Sequence, residues 1–186
     1  MTFFITDLRS AEMINYASNA LLATKVSFIN EISNICEKTG ANIIEVAMDK
    51  RIGSSFLQAG IGYGGSCFPK DTRALVQIAG NVAHDFKLLK AVIEVNHNQQ
   101  RLLIEKAKQG IDMEGKRIVV LGASFKPNTD DIREGPSLVI IQELIKIGEN
   151  VVVYDPQALS HLKQVFGDEI QYEAIVGAYA AFIVTE

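Results

Sequence analysis

The chain has 186 residues, 48% hydrophobic and 22% charged, with 18 basic against 22 acidic side chains and a sequence pI near 5.4. This length suffices for one good core or two small ones; absent Trp, few Pro and 14 Gly exclude collagen-like, proline-rich and low-complexity classes, and mild acidity without a Lys/Arg-rich run argues against nucleic acid as the main partner. The longest apolar runs, such as Ile118 to Leu121 and Leu138 to Ile141, fall far short of the roughly 20 residues that span a bilayer, and the N-terminus lacks a basic flank and a cleavage site, so a cytoplasmic chain with no membrane segment is expected.

From Ala11 to Glu37, Ile14, Ala17, Leu21, Phe28, Ile32 and Ile35 recur at helical steps beside a second ridge of Leu22, Val26, Ile29 and Cys36. Together they predict a long helix with a broad buried face. Asp7 or Ser10 caps its start and Gly40 stops it. Asn42 and Glu45 resemble a capping box for a short helix through Met48. Arg51 to Cys67 reads as loop. Asp71 or Thr72 opens another helix to about Ala79, ended by Gly80, and a longer one runs from about Phe86 to Gln109. Residues 1–110 therefore read as all-helical.

The period changes after Gly115. Arg117 to Gly122 is a short β-branched run ending in glycine, the mark of a buried parallel strand. A helix from Ser137 to Ile147 follows, with Pro136 at its start. Val151 to Tyr154 is a second strand, leading into Asp155-Pro156. A helix near Leu159 to Phe166, a weak strand near Ile170 to Tyr172 and a final strand Ala181 to Val184 complete the chain. Strands alternating with helices imply βαβ units. The expected class is therefore α plus α/β: a helical domain over 1–110, then a partial Rossmann-like parallel sheet over 111–186.

Of the two cysteines, Cys36 sits in a helical apolar pattern and reads as a small buried hydrophobe. Cys67 ends a glycine-rich segment, Gly60-Ile61-Gly62-Tyr63-Gly64-Gly65-Ser66-Cys67, and precedes Phe68-Pro69-Lys70-Asp71. A cation and helix-terminal N–H groups beside a thiol favour the reactive thiolate, although a buried structural cysteine is the alternative. Neither cysteine has a partner at ligand spacing and the three His are scattered, so no metal site is expected. Gly122-Ala123-Ser124-Phe125-Lys126-Pro127 is not a dinucleotide fingerprint. Lys126 and Arg133 nevertheless lie in the loop at a strand's carboxyl end, where doubly wound sheets hold ligands, and there cations favour anions. Asn15 and Asn19, four apart, share a helix face; they either serve a site or hydrogen-bond a neighbouring helix. Arg51 is most simply a surface charge.

Four stretches, Ala11 to Asn19, Arg51-Ile52-Gly53, Gly62 to Asp71 and Phe125 to Glu134, closely resemble the UDP-glucose 6-dehydrogenases of the UDP-glucose/GDP-mannose dehydrogenase family, in the same order and separation. The resemblance implies a dimer-forming helical central domain and a Rossmann-like domain that helps hold a UDP-sugar. It also implies oxidation of the sugar C6 alcohol to a carboxylate in two NAD-dependent steps, as in UDP-glucuronate supply for polysaccharides. By resemblance, Cys67 is the nucleophile that captures the C6 aldehyde, Asp71 the water-activating or positioning carboxylate, and Asn19 an oxygen-stabilising amide. Phe56, Leu57, Gln58, Ala59, Gly60 and Gly64 match the loop around the sugar nucleotide, Lys126 a substrate lysine, and Arg51 an arginine reaching the neighbouring subunit's substrate. Lys70 and Arg133 match positions that contact NAD.

Three departures shape the expectation. The chain begins just before the central domain, so the N-terminal NAD-binding domain is expected to be absent. Asn15 stands where the family carries a catalytic lysine, and losing one such donor costs about 10²–10³ in rate. Val46 to Asp49 and Gly177 to Ala181 look shortened relative to the family, and the substrate domain's further elements, beyond Glu186, are expected to be missing. A fragment inactive by itself is expected; the alternatives are a non-catalytic dimerisation or regulatory module, or a decaying gene product. A thiol enzyme using Cys67 alone would need His84 or His97 brought beside it. The wording of the Cys67 segment favours UDP-glucose over UDP-N-acetylmannosamine or GDP-mannose.

Overall fold

The structure, a computed structural model, describes residues 5–53, 55–172 and 176–185; Met1 to Phe4 of the apolar start lie outside them. The chain forms two compact units, one of residues up to Gly60 together with Cys67–Val95, the other of Ile61–Ser66 with Asn96 onward. The expected domain limit near residue 110 thus differs from the division by compactness. Helix α4 (Lys87–Gly110) contributes to both units, and the glycine segment before Cys67 belongs to the second.

In the first unit, α1 (Leu8–Thr39) is capped by Asp7, whose carboxylate accepts from the Ser10 N–H at 3.1 Å, and ends at Gly40 in the left-handed region. Helix α2 (Ile43–Ala47) starts at Asn42, whose side chain accepts from Ile44 N–H at 3.0 Å. Instead of closing a reciprocal capping box, Glu45 accepts from the Asn42 side-chain amide at 3.3 Å. Helix α3 (Phe68–Asn81) begins three residues before the expected Asp71. Pro69 explains the shift: in the first turn its missing N–H removes nothing, and its fixed φ suits a helix start.

The broad buried face expected for α1 is half right. Ala20, Ala23, Ile29 and Cys36 are buried, and α1 packs on α3. Ile14, Leu21, Phe28 and Ile35, however, are each about half exposed. A helix with two apolar ridges needs two partner surfaces, and the described residues of this unit cover one.

In the second unit, strands β1 (Arg117–Leu121), β2 (Asn150–Tyr154) and β3 (Ala180–Ile183) form a parallel sheet in the order β2-β1-β3. Helices α5 (Pro136–Lys146) and α6 (Leu159–Phe166) connect them. The central strand is wholly apolar inside, with Ile118, Val119 and Val120 at 0% exposure, as a strand covered on both faces requires. The weak strand expected near Ile170 is a single parallel bridge, Gln171 to Val152. Gln171 exchanges backbone hydrogen bonds with Val151 and Val153 at 2.9 and 2.8 Å.

Candidate functional site

Cys67 is exposed and immediately precedes α3. Its carbonyl accepts the Asp71 N–H at 2.8 Å, so residues 67 and 71 lie one turn apart on the same helical face. Asp71 is 2% exposed. Its Oδ2 accepts from the Asn19 side-chain amide at 2.6 Å and, more weakly, from Asn15 at 3.4 Å. Its Oδ1 has the exposed Lys70 ammonium at 3.3 Å but no directed hydrogen bond among the described residues. The shared face of Asn15 and Asn19 thus hydrogen-bonds a neighbouring helix, through Asp71 one turn after Cys67.

The loop of residues 55–60 is held at three points. Phe56 has φ 59°, unusual for a non-glycine residue, and its ring lies 6.3 Å from that of Phe68 at the start of α3. Leu57 is 4% exposed, so it anchors the loop. Gly60 N–H donates to Asn30 Oδ1 at 2.8 Å. Gln58 and Ala59 are exposed between these anchors. Arg51 is also exposed, with its guanidinium on Asp49 at 3.0 and 2.9 Å. That side-chain hydrogen bond raises the arginine's pKa and lowers the aspartate's.

Gly64, Lys126 and Arg133 belong to the second unit and come together around the loop after β1. Gly65 N–H donates to Arg133 C=O at 2.9 Å, and Gly65 lies against the Phe125 ring. A Cβ on Gly64 would collide with Glu134 O and the Gly135 backbone, which explains a glycine there. Tyr63 is fastened on its other side: its N–H donates to Asn96 Oδ1 at 2.7 Å, and its carbonyl accepts from Asn96 and Gln100 at 3.1 and 3.2 Å. Lys126 is exposed, its Nζ 5.3 Å above the Phe125 ring. It borders a cavity of about 440 Å³ at the carboxyl ends of the strands, lined also by Gly122, Ser124, Tyr154, Asp155 and Thr185. The Arg133 guanidinium binds Asp131 at 2.9 and 2.7 Å, a hydrogen bond that holds the Asp131 carboxyl below the usual range.

Sequence reasoning passed over Asp155, which organises this cavity's floor. Its Oδ2 accepts from Ala123 N–H, Ser124 N–H and Ser124 Oγ at 2.8, 3.0 and 3.0 Å; Oδ1 accepts from Gln157 and Ala158 N–H at 3.0 Å each. Burial by itself would raise its pKa, but the hydrogen bonds from Ala123, Ser124 and Ala158 outweigh burial and leave it lowered. The signal was present in Asp-Pro directly after a β-branched strand, where Asp commonly ties down a turn.

The residues present do not fit a dinucleotide. Gly60, Gly62 and Gly65 meet the G-x-G-x-x-G spacing, yet no strand precedes them among the described residues. In the sheet, the end of β2 is where a ribose-binding carboxylate belongs, but Asp155 there has both oxygens committed to backbone N–H groups. No group of His, Cys, Asp and Glu able to hold a metal occurs among the described residues. No helix among them is long and apolar enough to cross a membrane.

Two domain models of one family match this chain. Residues 9–98 match the central domain of the UDP-glucose/GDP-mannose dehydrogenase family and residues 119–186 its UDP binding domain. The chain is 61% identical to UDP-glucose 6-dehydrogenase YwqF and 50% identical to UDP-glucose 6-dehydrogenase TuaD, both of Bacillus subtilis, over 97% of its own length. It spans 43% and 40% of those proteins. A UDP-glucose dehydrogenase structure from the hyperthermophilic archaeon Pyrobaculum islandicum superposes with a TM-score of 0.89 at 36% identity, covering 98% of this chain and 44% of that one. The chain belongs to the UDP-glucose/GDP-mannose dehydrogenase family.

Proposed function

We propose that this chain carries the thiol chemistry and part of the sugar-nucleotide site of a UDP-glucose 6-dehydrogenase. The observation that supports it is Cys67, exposed at the start of α3 one turn from a buried Asp71 held by Asn19. Cys67 Sγ adds to the C6 aldehyde of the sugar; the S–C bond forms and the thiol proton passes to the carbonyl oxygen, giving a thiohemiacetal. Its conversion to a thioester is a two-electron oxidation, as is the preceding alcohol-to-aldehyde step. In the family both use NAD, a group whose site this chain's residues do not build. Water then attacks the thioester, Asp71 taking its proton, and the S–C bond breaks to return the thiol and release a carboxylate. Asn19 and Asn15 orient Asp71 for this role. In the first unit the Phe56–Gly60 loop serves the sugar nucleotide and Arg51 supplies a cation toward a second subunit; in the second unit Gly64 and Lys126 match family positions that serve a sugar nucleotide, Lys126 as a cation. Lys70 and Arg133, the positions matched to NAD contacts in the family, are ion-paired to Asp71 and Asp131 here and take no part in these steps.

The test is protection of Cys67. UDP-glucose-6-aldehyde should slow iodoacetamide labelling of Cys67, read by peptide mass spectrometry with buried Cys36 as internal control. Unchanged labelling at saturating aldehyde refutes the reading. Mixed with UDP-glucose and NAD, the 186-residue polypeptide should produce no reduced cofactor, and Asn15→Lys should not restore it; clear absorbance growth at the reduced-nicotinamide band refutes that part.

A second reading rests on the α1 stripe. Ile14, Leu21, Phe28 and Ile35 recur every seven residues and stay about half exposed, the pattern of a helix-pairing seam. It fits a homodimer through the helical domain and is equally compatible with a purely dimerising or regulatory module. Aldehyde protection of Cys67 separates the two.

A further inference from the structure

The middle of α1 buries two polar side chains with different outcomes. Ser27 is satisfied, its hydroxyl donating to Val92 C=O at 3.1 Å. Asn30, one turn on and 0% exposed, is only half satisfied: Oδ1 accepts Gly60 N–H at 2.8 Å, while Nδ2 has no hydrogen-bond partner among the described residues. Burying an amide costs free energy that hydrogen bonds must offset, and leaving its donors unmade forfeits much of that compensation. A hydrophobic residue would pack a helix core at lower cost. Departures of this kind concentrate where function demands them. What Asn30 does hold is the backbone at Gly60, the end of a loop that begins with Phe56 in a left-handed conformation. A strained segment of this kind persists only when its surroundings over-determine it.

We propose that Asn30 is a positioning residue for the sugar-nucleotide loop, acting on the ligand through the backbone it fixes at Gly60. This rests on the assignment of the Phe56–Gly60 loop to a UDP-sugar under Proposed function. Gly60 is exposed and a Cβ there meets nothing within 4 Å, so the hydrogen bond can be cut from the loop side without disturbing the helix core.

The experiment compares the unsubstituted protein with Asn30→Ala, Gly60→Pro and Ser27→Ala by UDP-glucose calorimetry, thermal unfolding and amide hydrogen exchange at Gly60. Gly60→Pro removes the donor to Asn30, whereas Ser27→Ala removes a buried hydrogen bond of the same helix that does not reach the loop. The Gly60 amide should be protected in the unsubstituted protein and exchange roughly tenfold faster in Asn30→Ala, and UDP-glucose Kd should rise roughly tenfold in Asn30→Ala and Gly60→Pro but not in Ser27→Ala. Should Asn30→Ala fail to fold, Gly60→Pro decides, judged by its Kd at unchanged melting temperature. UDP-glucose binding with the same Kd in Gly60→Pro, or an unprotected Gly60 amide, overturns the role of Asn30 alone. No UDP-glucose binding by the unsubstituted protein overturns the functional reading beneath it.

Discussion

Replacing Asp155 by Asn changes almost no volume, so its effect isolates hydrogen bonding from packing. In the native protein both carboxylate oxygens accept: Oδ2 from Ala123 and Ser124 N–H and the Ser124 hydroxyl, Oδ1 from Gln157 and Ala158 N–H. An asparagine has one acceptor oxygen, so whichever way its amide turns, its NH2 confronts two backbone donors. Ala123, Ser124 and Ala158 are all at most 3% exposed, so water does not replace the lost acceptor. Each stranded buried donor costs about 1–3 kcal/mol, and each lost bond to a charged acceptor is worth about 1.5–3 kcal/mol. These terms overlap, and about 3–5 kcal/mol of destabilisation for Asp155→Asn is expected. With a urea m-value near 2 kcal/mol/M, the midpoint should fall by about 2 M. Urea unfolding followed by circular dichroism, with hydrogen exchange of β1 amides reporting the second unit, measures it. The carboxyl is lowered in the folded state, so its contribution is complete above the unfolded pKa near 3.8 and is lost as pH falls through the lower folded value. The gap between native and Asn proteins should therefore be full at pH 7 and shrink below pH 4. A loss under about 0.5 kcal/mol at pH 7 would refute the reasoning, because it would mean that shape rather than charge organises the turn.

Asn19→Ala should cost about 2 kcal/mol by stripping the 2.6 Å donor from a buried carboxylate, whereas Asn15→Ala, at 3.4 Å and on an exposed residue, should cost under about 0.5 kcal/mol; equal losses in thermal unfolding would contradict the unequal roles. Gly64→Ala drives a methyl into Glu134 O and Gly135 Cα and should cost about 1–3 kcal/mol, with Gly60→Ala near neutral. Comparable urea midpoints for the two would show that the glycine segment yields easily. Phe28→Glu should shift sedimentation toward monomer with little change in melting temperature, since the ring is 49% exposed; an unaltered dimer would exclude the α1 stripe as its seam.

Much of this protein is legible along the chain because the relevant physics is local. Helical periodicity, Asp7 and Gly40 at the ends of α1, and β-branched runs closed by glycine placed the elements within a few residues. The start of α3 was misread because Asp71 resembles a cap while Pro69 defines the turn. The chemistry of the Cys67 segment was also local, since thiol, lysine and aspartate follow one another and a helix puts residues 67 and 71 on one face.

What the order of residues left undecided were pairings between distant positions. Nothing local tells Asn15 and Asn19 that Asp71, more than 50 positions away, is their acceptor, or tells Asn30 that its partner is Gly60. Nor does periodicity say which of two apolar ridges on α1 is covered, because hydrophobicity records the need for a partner and not its address. The sequence by itself determined the elements and the types of reactive group. The tertiary structure decided which carboxylate is buried, which loop is pinned and which face stays open, because burial and hydrogen-bond geometry exist only once distant segments meet.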